Sequence, residues 1–493
     1  MKLVSTRNKK ISMGALEAVL KGISSDGGLF IPETLPSLSL EEIEAFKTLS
    51  YPALAAKILG LFFEEIDAHD MLEMATKAYS TFTAAETIPV KKIEDNLFVM
   101  ELFHGPTLAF KDVALQMLPR LMAKALEQQG SDEDVLILTA TSGDTGKAAL
   151  EGFCDVDRVK IVVFYPNDGV SEMQKLQMVT QGGDNTFIYA VHGNFDDTQN
   201  GVKAIFTDAG AIMQLIQKGY MLSSANSINI GRLTPQVVYY FWAYLNLIKN
   251  GALKLGQPMD VAVPTGNFGN ILAAYYAKNM GLPIGKLVCA SNSNKVLTDF
   301  FNSKNYSIKS RDFVKTMSPS MDILISSNLE RLVADFVGDD AVVRELMQAL
   351  AQKGEYDITP YIDKAKAQAF FAGWASEPET KDVIKQIFDN DGYLVDPHTA
   401  VGVKVAKEYM AKTDGKTPCV VAATASPFKF SGDVLNALDT GAAFDDAFLQ
   451  AEKLSEITGW PVPDKIAELK TKPIRHTGVI EKQAMLSAIL ADI

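Results

Sequence analysis

Lys111 heads a helical stretch, an awkward place for a cation. Glu101-Leu-Phe-His-Gly-Pro-Thr-Leu-Ala-Phe-Lys-Asp112 leads into residues 113–126, whose apolar side chains recur at helical spacing. The partial positive charge of a helix N-terminus disfavours an ammonium there by about 0.3–1 kcal/mol. With partial burial, that field lowers a lysine's pKa and frees its amine as nucleophile or base. Taken alone, Lys111 reads equally as a surface lysine whose stem lies along the protein. His104 alone reads as a structural histidine.

Other segments could hold anions. Gly266-Asn-Phe-Gly-Asn270 sits between an apolar strand and a helix. Its glycines let backbone approach a ligand, and helix-start amides face it, which makes an anion cradle or simply a tight turn. Thr139-Ala-Thr-Ser-Gly-Asp-Thr-Gly146 is dense in hydroxyls. Thr141, Ser142, Gly143 and Thr145 could grip a carboxylate or phosphate; otherwise Ser142 or Asp144 merely caps a helix. Gly143-Asp-Thr-Gly-Lys147 is too short for a nucleotide P-loop, and Ala148 stands where a magnesium-binding hydroxyl belongs. In Ser224-Ala-Asn-Ser-Ile-Asn-Ile-Gly-Arg-Leu233, Arg232 beside Ser227 suits a doubly charged phosphate, although a surface arginine is the plainer reading. Thr424 ends an apolar strand and could meet a ring nitrogen. His398, at a helix start, reads as capping. The five histidines, at 69, 104, 192, 398 and 476, show no metal-ligand spacing.

The elements that must position these residues alternate. Val135–Thr141, Lys160–Tyr165, Met259–Val263, Leu287–Ala290 and Cys419–Ala423 are continuous apolar runs, most followed by a polar turn and a helical stretch. That pattern predicts buried parallel sheets in an α/β protein, with ligands at the carboxyl ends of strands. Residues 1–92 read as a mostly helical accessory domain, with helices at 40–49, 53–63 and 70–78. Residues 93–220 read as a smaller, mobile α/β domain carrying the lysine and the hydroxyl-rich loop. Residues 221–493 read as the larger α/β domain, with a helical insertion near 300–390 that holds helices at 328–337, 341–354 and 361–375.

The chain of 493 residues is too long for one core, and its net charge of −13 argues against nucleic acid as the main partner. Cys154, Cys289 and Cys419 are few, odd in number and far apart, which suits reduced thiols. The first residues lack the apolar stretch of a signal peptide, and no run reaches the ~18 apolar residues of a membrane span. A cytoplasmic protein, monomer or homodimer, is expected.

Two anion cradles, a hydroxyl-rich loop and a helix-start lysine fit one cofactor. Pyridoxal 5′-phosphate needs a lysine for its Schiff base, an anion site and a partner for its pyridine nitrogen. His104-Gly-Pro-Thr-Leu-Ala-Phe-Lys-Asp112, Thr141-Ser-Gly-Asp-Thr-Gly146, Gly266-Asn-Phe-Gly-Asn270 and Asp396-Pro-His-Thr-Ala-Val-Gly402 together closely resemble the threonine synthases, in their long bacterial and fungal form. The similarity extends to Ser24-Ser-Asp-Gly-Gly-Leu-Phe-Ile-Pro32. It implies fold type II of the pyridoxal enzymes, the tryptophan synthase β-like architecture. It further implies that Lys111 carries the cofactor and acts as base, that Gly266, Asn267, Phe268, Gly269 and Asn270 hold the cofactor phosphate, and that Thr424 faces the pyridine nitrogen. Asp144, where many relatives have Asn, would lie near the cofactor ring, and an ionised Asp has no N–H to donate. Ser142 to Thr145, with Thr141, would take the substrate carboxylate; Ser227, Arg232, Asn270 and Thr145 would take its phosphate. The implied substrate is O-phospho-L-homoserine and the implied product L-threonine. A phospho-lyase releasing a keto acid and ammonia, and a non-catalytic pyridoxal-binding protein, remain the other readings.

Overall fold

Continuous apolar runs become central strands because both faces are covered, and the structure places them so. It is a computed structural model that describes residues 1–493 except 142, 168, 169, 171, 439, 440 and 442–444. Among the described residues the strands form four sheets. The largest runs in the order Phe370–Trp374, Ile284–Ser291, Met259–Pro264, Cys419–Ala423, Leu97–Glu101 and Val90–Glu94. Its pairs are parallel except the last, a hairpin. The second sheet runs Val479–Ile480, Thr186–Val191, Val159–Pro166, Asp134–Ala140 and Tyr220–Ser223, all parallel. Every residue of Met259–Pro264 and of Cys419–Ala423 is buried, as parallel strands between helical layers require.

The sheets do not follow the expected division at residue 220. Leu97–Glu101, which precedes Lys111, belongs to the larger sheet, so the lysine is mounted there. Val479–Ile480 crosses back to extend the smaller sheet. Strand pairing is non-local, and a linear reading assigns each strand to its neighbours in sequence. The helix expected at 361–375 is a further correction. One turn, Lys364–Ala367, is followed by the strand Phe370–Trp374, which edges the larger sheet. A short apolar run with aromatics fits either period, and here edge pairing decides. The expected helix over 113–126 is split into Lys111–Leu115 and Leu118–Gln129. Pro119 has no N–H for the Leu115 carbonyl and its ring would crowd that turn, so the first helix stops.

Residues 1–92 are not wholly helical. The strands Lys2–Ser5, Ser12–Gly14 and Phe30–Pro32 form an antiparallel sheet beside Ala15–Lys21, Leu40–Ala45, Tyr51–Gly60 and Ala68–Tyr79. Nor does this region keep a core to itself. Val19, Phe30 and Tyr51 belong to the same apolar cluster as Leu118, Val237 and Tyr240. Arg331, 1 % exposed, ties the region to the rest. Its Nε donates to Phe30 O (2.9 Å), its Nη2 to Ile228 O (2.5 Å) and its Nη1 to Asn328 Oδ1. Asn328 Nδ2 in turn donates to Asn267 O at 2.9 Å.

Candidate active site

Four strands of the two sheets deliver their following loops to one cavity of about 520 Å³. Lys111 opens the helix after Leu97–Glu101, the Thr141 loop follows Asp134–Ala140, the Gly266 loop follows Met259–Pro264, and Thr424 follows Cys419–Ala423. All are carboxyl ends, where helix dipoles and free amides gather. Every residue expected at the site lines this cavity except Ser142, which lies outside the described residues.

Lys111 Nζ reaches across the cleft to Asp144 Oδ2 at 3.6 Å and donates to Ser320 Oγ at 3.2 Å. Its side chain is only about a tenth exposed. Its pKa is lowered, first by burial and then, against the pull of Asp144, by the charges of Lys429 and Arg232. The predicted direction stands, but desolvation rather than the helix end is the leading cause; the helix itself is only five residues long.

Asp144 starts the helix Asp144–Phe153 without capping it. Its carboxyl is held well below the usual range: Lys429 and Lys111 together outweigh a large burial penalty. Lys429 Nζ lies 2.7 Å from Asp144 Oδ1 and also donates to Thr107 O at 2.9 Å. Asp144 is therefore an acceptor only, and the donors at this wall of the cavity are the two lysines. Lys429 went unremarked in the sequence, although a lysine between Phe428 and Phe430, in a segment where the chain turns inward, was a signal that it is buried.

The hydroxyl-rich loop is built around Thr141. Its Oγ1 accepts from Gly143 N (3.1 Å) and Gly146 N (3.0 Å) and donates to Gly143 O (3.0 Å). A Cβ on residue 146 would sit 2.2 Å from Thr141 Cγ2, so only glycine fits. Thr141 thus shapes the loop, with its hydroxyl already bonded. Thr145 stays on the cavity wall.

On the opposite side, Phe268 takes a left-handed conformation, φ 65°, and the helix Gly269–Asn279 begins with no side-chain cap. Ser326 Oγ anchors Gly266 O at 2.7 Å, and Asn328 N anchors Asn267 O at 3.1 Å. The loop is held by its carbonyls, leaving its amides for a ligand. Asn270 Oδ1 accepts from Tyr240, but the buried Asn270 Nδ2 has no partner among the described residues. Arg232, at the start of Ile230–Lys249, donates through Nη1 to Ala225 O (3.0 Å), while its buried Nε also has none among the described residues. Burial lowers the Arg232 guanidinium to about 10. Two orphaned buried donors in one cavity call for an acceptor, because each costs about 1–3 kcal/mol unpaired. Locally the site is cationic, with Lys111 and Arg232 on the cavity wall and Lys429 paired to Asp144, in a chain of net charge −13.

The two histidines read as structural or capping fall differently. His104 pairs with Glu101 (2.7 Å) and is absent from the cavity wall. His398 lines the cavity, with Nδ1 2.8 Å from Asp396 Oδ1. Ser320 had no signal in the sequence; the chain brings it to Lys111 from a distance of 209 residues.

Two sheets, one wholly and one mainly parallel, a lysine between them and anion loops at the strand ends define a fold type II pyridoxal enzyme. The description "Pyridoxal-phosphate dependent enzyme" matches residues 83–369, "Threonine synthase N terminus" residues 2–79 and "Threonine synthase, C-terminal" residues 399–489. The chain belongs to the threonine synthase family. It is 40% identical to threonine synthase of Pseudomonas aeruginosa, over 87% of this chain and 89% of that one. It is 42% identical to threonine synthase-like 1 of Macaca fascicularis over 86% of this chain, but spans only 58% of that relative's length. Among solved structures, pyridoxal-phosphate-bound threonine synthase from Brucella melitensis superposes with a TM-score of 0.88 at 40% identity, covering 100% of this chain and 99% of that one. The yeast threonine synthase structure gives 0.88 at 34% identity, covering 100% and 98%.

Proposed function

We propose that the chain converts O-phospho-L-homoserine and water to L-threonine and phosphate, using pyridoxal 5′-phosphate. The observation that carries this reading is one cavity holding a low-pKa lysine together with two buried donors that lack acceptors. The residues fit the cofactor. The amides of Gly266, Asn267, Phe268, Gly269 and Asn270 would hold its phosphate, Lys111 its carbonyl carbon, and Thr424 its ring nitrogen. When bound, the cofactor supplies an electron sink for charge developed beside the amino group.

The remaining work falls to the chain. Burial and two neighbouring cations lower the pKa of the Lys111 amine, which favours its neutral, proton-accepting form over that of an exposed lysine. Asp144, fixed as a carboxylate, balances those cations without competing as a donor. Arg232, with Ser227, Thr145 and Asn270, faces the substrate phosphate, which supplies the missing acceptor. Gly143 and Thr145 of the Thr141 loop would receive the carboxylate. The smaller sheet closing on the larger would exclude stray water. The residues 1–92, 93–220 and 221–493 act together in this reading, although the lysine rides on the larger sheet. Three free thiols and a net charge of −13 support a cytoplasmic enzyme without a nucleic-acid partner; no described helix is long and apolar enough to cross a membrane.

The second reading is a phospho-lyase on related phosphorylated amines, whose phosphate would meet the same two orphaned donors, Arg232 Nε and Asn270 Nδ2. Incubation of the cofactor-loaded protein with O-phospho-L-homoserine separates them: threonine plus phosphate supports the synthase, whereas 2-ketobutyrate plus ammonia supports the lyase. Lys111→Ala is expected to abolish both the visible absorbance of bound cofactor and phosphate release while the fold persists. Full activity in that variant would sink the assignment.

A further inference from the structure

Among the described residues Lys111 bonds a single side-chain hydroxyl, and the turn that presents it is fixed from an unexpected quarter. Ser320 lies in the turn Pro319–Met321 and is exposed, its Oγ 3.2 Å from Lys111 Nζ. Ser320 N–H donates to His398 Nε2 at 3.1 Å. An accepting Nε2 requires the imidazole proton on Nδ1, and Nδ1 faces Asp396 Oδ1 at 2.8 Å. Asp396 is itself immobilised: its Oδ1 accepts from His398 N (2.9 Å), its Oδ2 accepts from Thr399 N (3.3 Å) and the Thr399 hydroxyl, and the residue is 1 % exposed. Phe430 packs edge-on against the imidazole, ring centres 4.9 Å apart. The imidazole is 3% exposed and cannot swing away.

This arrangement is a chain of orientation running Asp396, His398, Ser320 amide, Ser320 hydroxyl, Lys111. We propose that Ser320 is a further catalytic residue, which orients the Lys111 amine, and that His398 is a positioning residue acting through the Ser320 amide. A free amine carries two N–H bonds and one lone pair. Ser320 Oγ accepts one N–H and Asp144 Oδ2, 3.6 Å from the same nitrogen, lies beside the other, so the lone pair is left the third direction, which must point at the carbon acid for proton transfer. When the amine has taken its proton, the same oxygen accepts from the ammonium. No proton leaves the pair, because Lys111 keeps the one it has taken until returning it to substrate. The inference rests on the reading of Lys111 as cofactor lysine and base.

The test uses the cofactor-loaded protein and the substrate in deuterated water. Proton exchange at Cα is followed by NMR, and bound cofactor by its visible absorbance. Because Ser320 is exposed and its hydroxyl serves Lys111, Ser320→Ala is expected to fold and to keep the absorbance. Exchange should fall by roughly ten- to a hundredfold, with KM changed less than about threefold, as expected when proton transfer loses orientation rather than binding. His398→Ala should show the same defect. His398→Gln, whose amide oxygen can accept the Ser320 N–H, should recover much of it. Exchange within about twofold of wild type in Ser320→Ala, or His398→Gln no better than His398→Ala, would overturn the proposal. Failure of the underlying reading looks different: no cofactor absorbance in the wild-type protein, or absorbance that survives in Lys111→Ala.

Discussion

Arg232→Met should make the ligand-free protein more stable and the phosphate-dependent protein worse. The guanidinium is 5 % exposed, and among the described residues no carboxylate pairs with it. Burial brings its pKa from 12.5 to about 10. That depression corresponds to roughly 3 kcal/mol of disfavour for the charged form. Because the folded value lies below the unfolded one, the penalty is complete at neutral pH and fades only as pH rises through about 10. Methionine keeps the length of the stem and discards the charge. Against the gain stands the lost bond to Ala225 O, about 1–2 kcal/mol when a buried carbonyl is left unpaired. The net expectation is about 1–2 kcal/mol of added stability, read as a higher urea midpoint in phosphate-free buffer. The second arm adds inorganic phosphate to cofactor-loaded protein, so that the Gly266 loop is already filled. Wild type should gain about 2.7 kcal/mol at a hundredfold excess over the dissociation constant, and Arg232→Met far less. A lower midpoint in the variant, with equal response to phosphate, would show Arg232 to be structural and refute the reasoning.

Two further outcomes follow from the same neighbourhood. A Cβ on residue 152 would lie 2.0 Å from Leu115 O, so Gly152→Ala must push the Asp144–Phe153 helix off the lysine helix. It should cost about 1–3 kcal/mol or more in urea unfolding and weaken cofactor binding, whereas unchanged values for both would contradict the contact. Asp112, buried beside Lys111, is pushed up from 3.8 to about 6 by desolvation, despite accepting from Thr107 N and Oγ1. A carboxyl with a raised folded pKa stabilises below its unfolded value and loses that contribution as pH rises through about 6. Asp112→Asn should therefore remove about 3 kcal/mol of decline between pH 4 and 7 from the stability profile. Parallel profiles for variant and wild type would contradict the shift.

What the sequence disclosed about this site was local. Glycines and hydroxyls at strand ends marked the Gly266 and Thr141 loops, and Arg232 and Thr424 lay in short motifs next to apolar runs. The structure brings all of these together at the cavity. What stayed hidden depends on long-range pairing. Ser320 sits in a turn without motif and acquires a role only where it touches Lys111. Lys429 is defined by Asp144, from the other sheet. His398 looked like a cap because capping is local, and its helix is indeed capped by Asp396; its second bond, to the Ser320 amide, spans 78 residues. Phe370–Trp374 had an ambiguous period, and only the open edge beside Ile284–Ser291 made it a strand.

Arg331 gives the molecule's internal border an unusual character. Family descriptions divide the chain between residues 79 and 83, yet the guanidinium joins Phe30 on one side to Ile228 and Asn328 on the other. A chain beginning after that border would leave a buried cation short of an acceptor and unroof the cluster of Val19 and Val237. The disturbance would reach Asn267 through one amide. Two of the three acceptors are main-chain carbonyls, which every residue type supplies. The tether itself therefore asks nothing of the side chains at 30 and 228 and needs only that the backbone keep its path, while Phe30 answers separately to the apolar cluster it fills. What joins the two regions here is a route of the main chain through space, which a reading of residue types alone does not reveal.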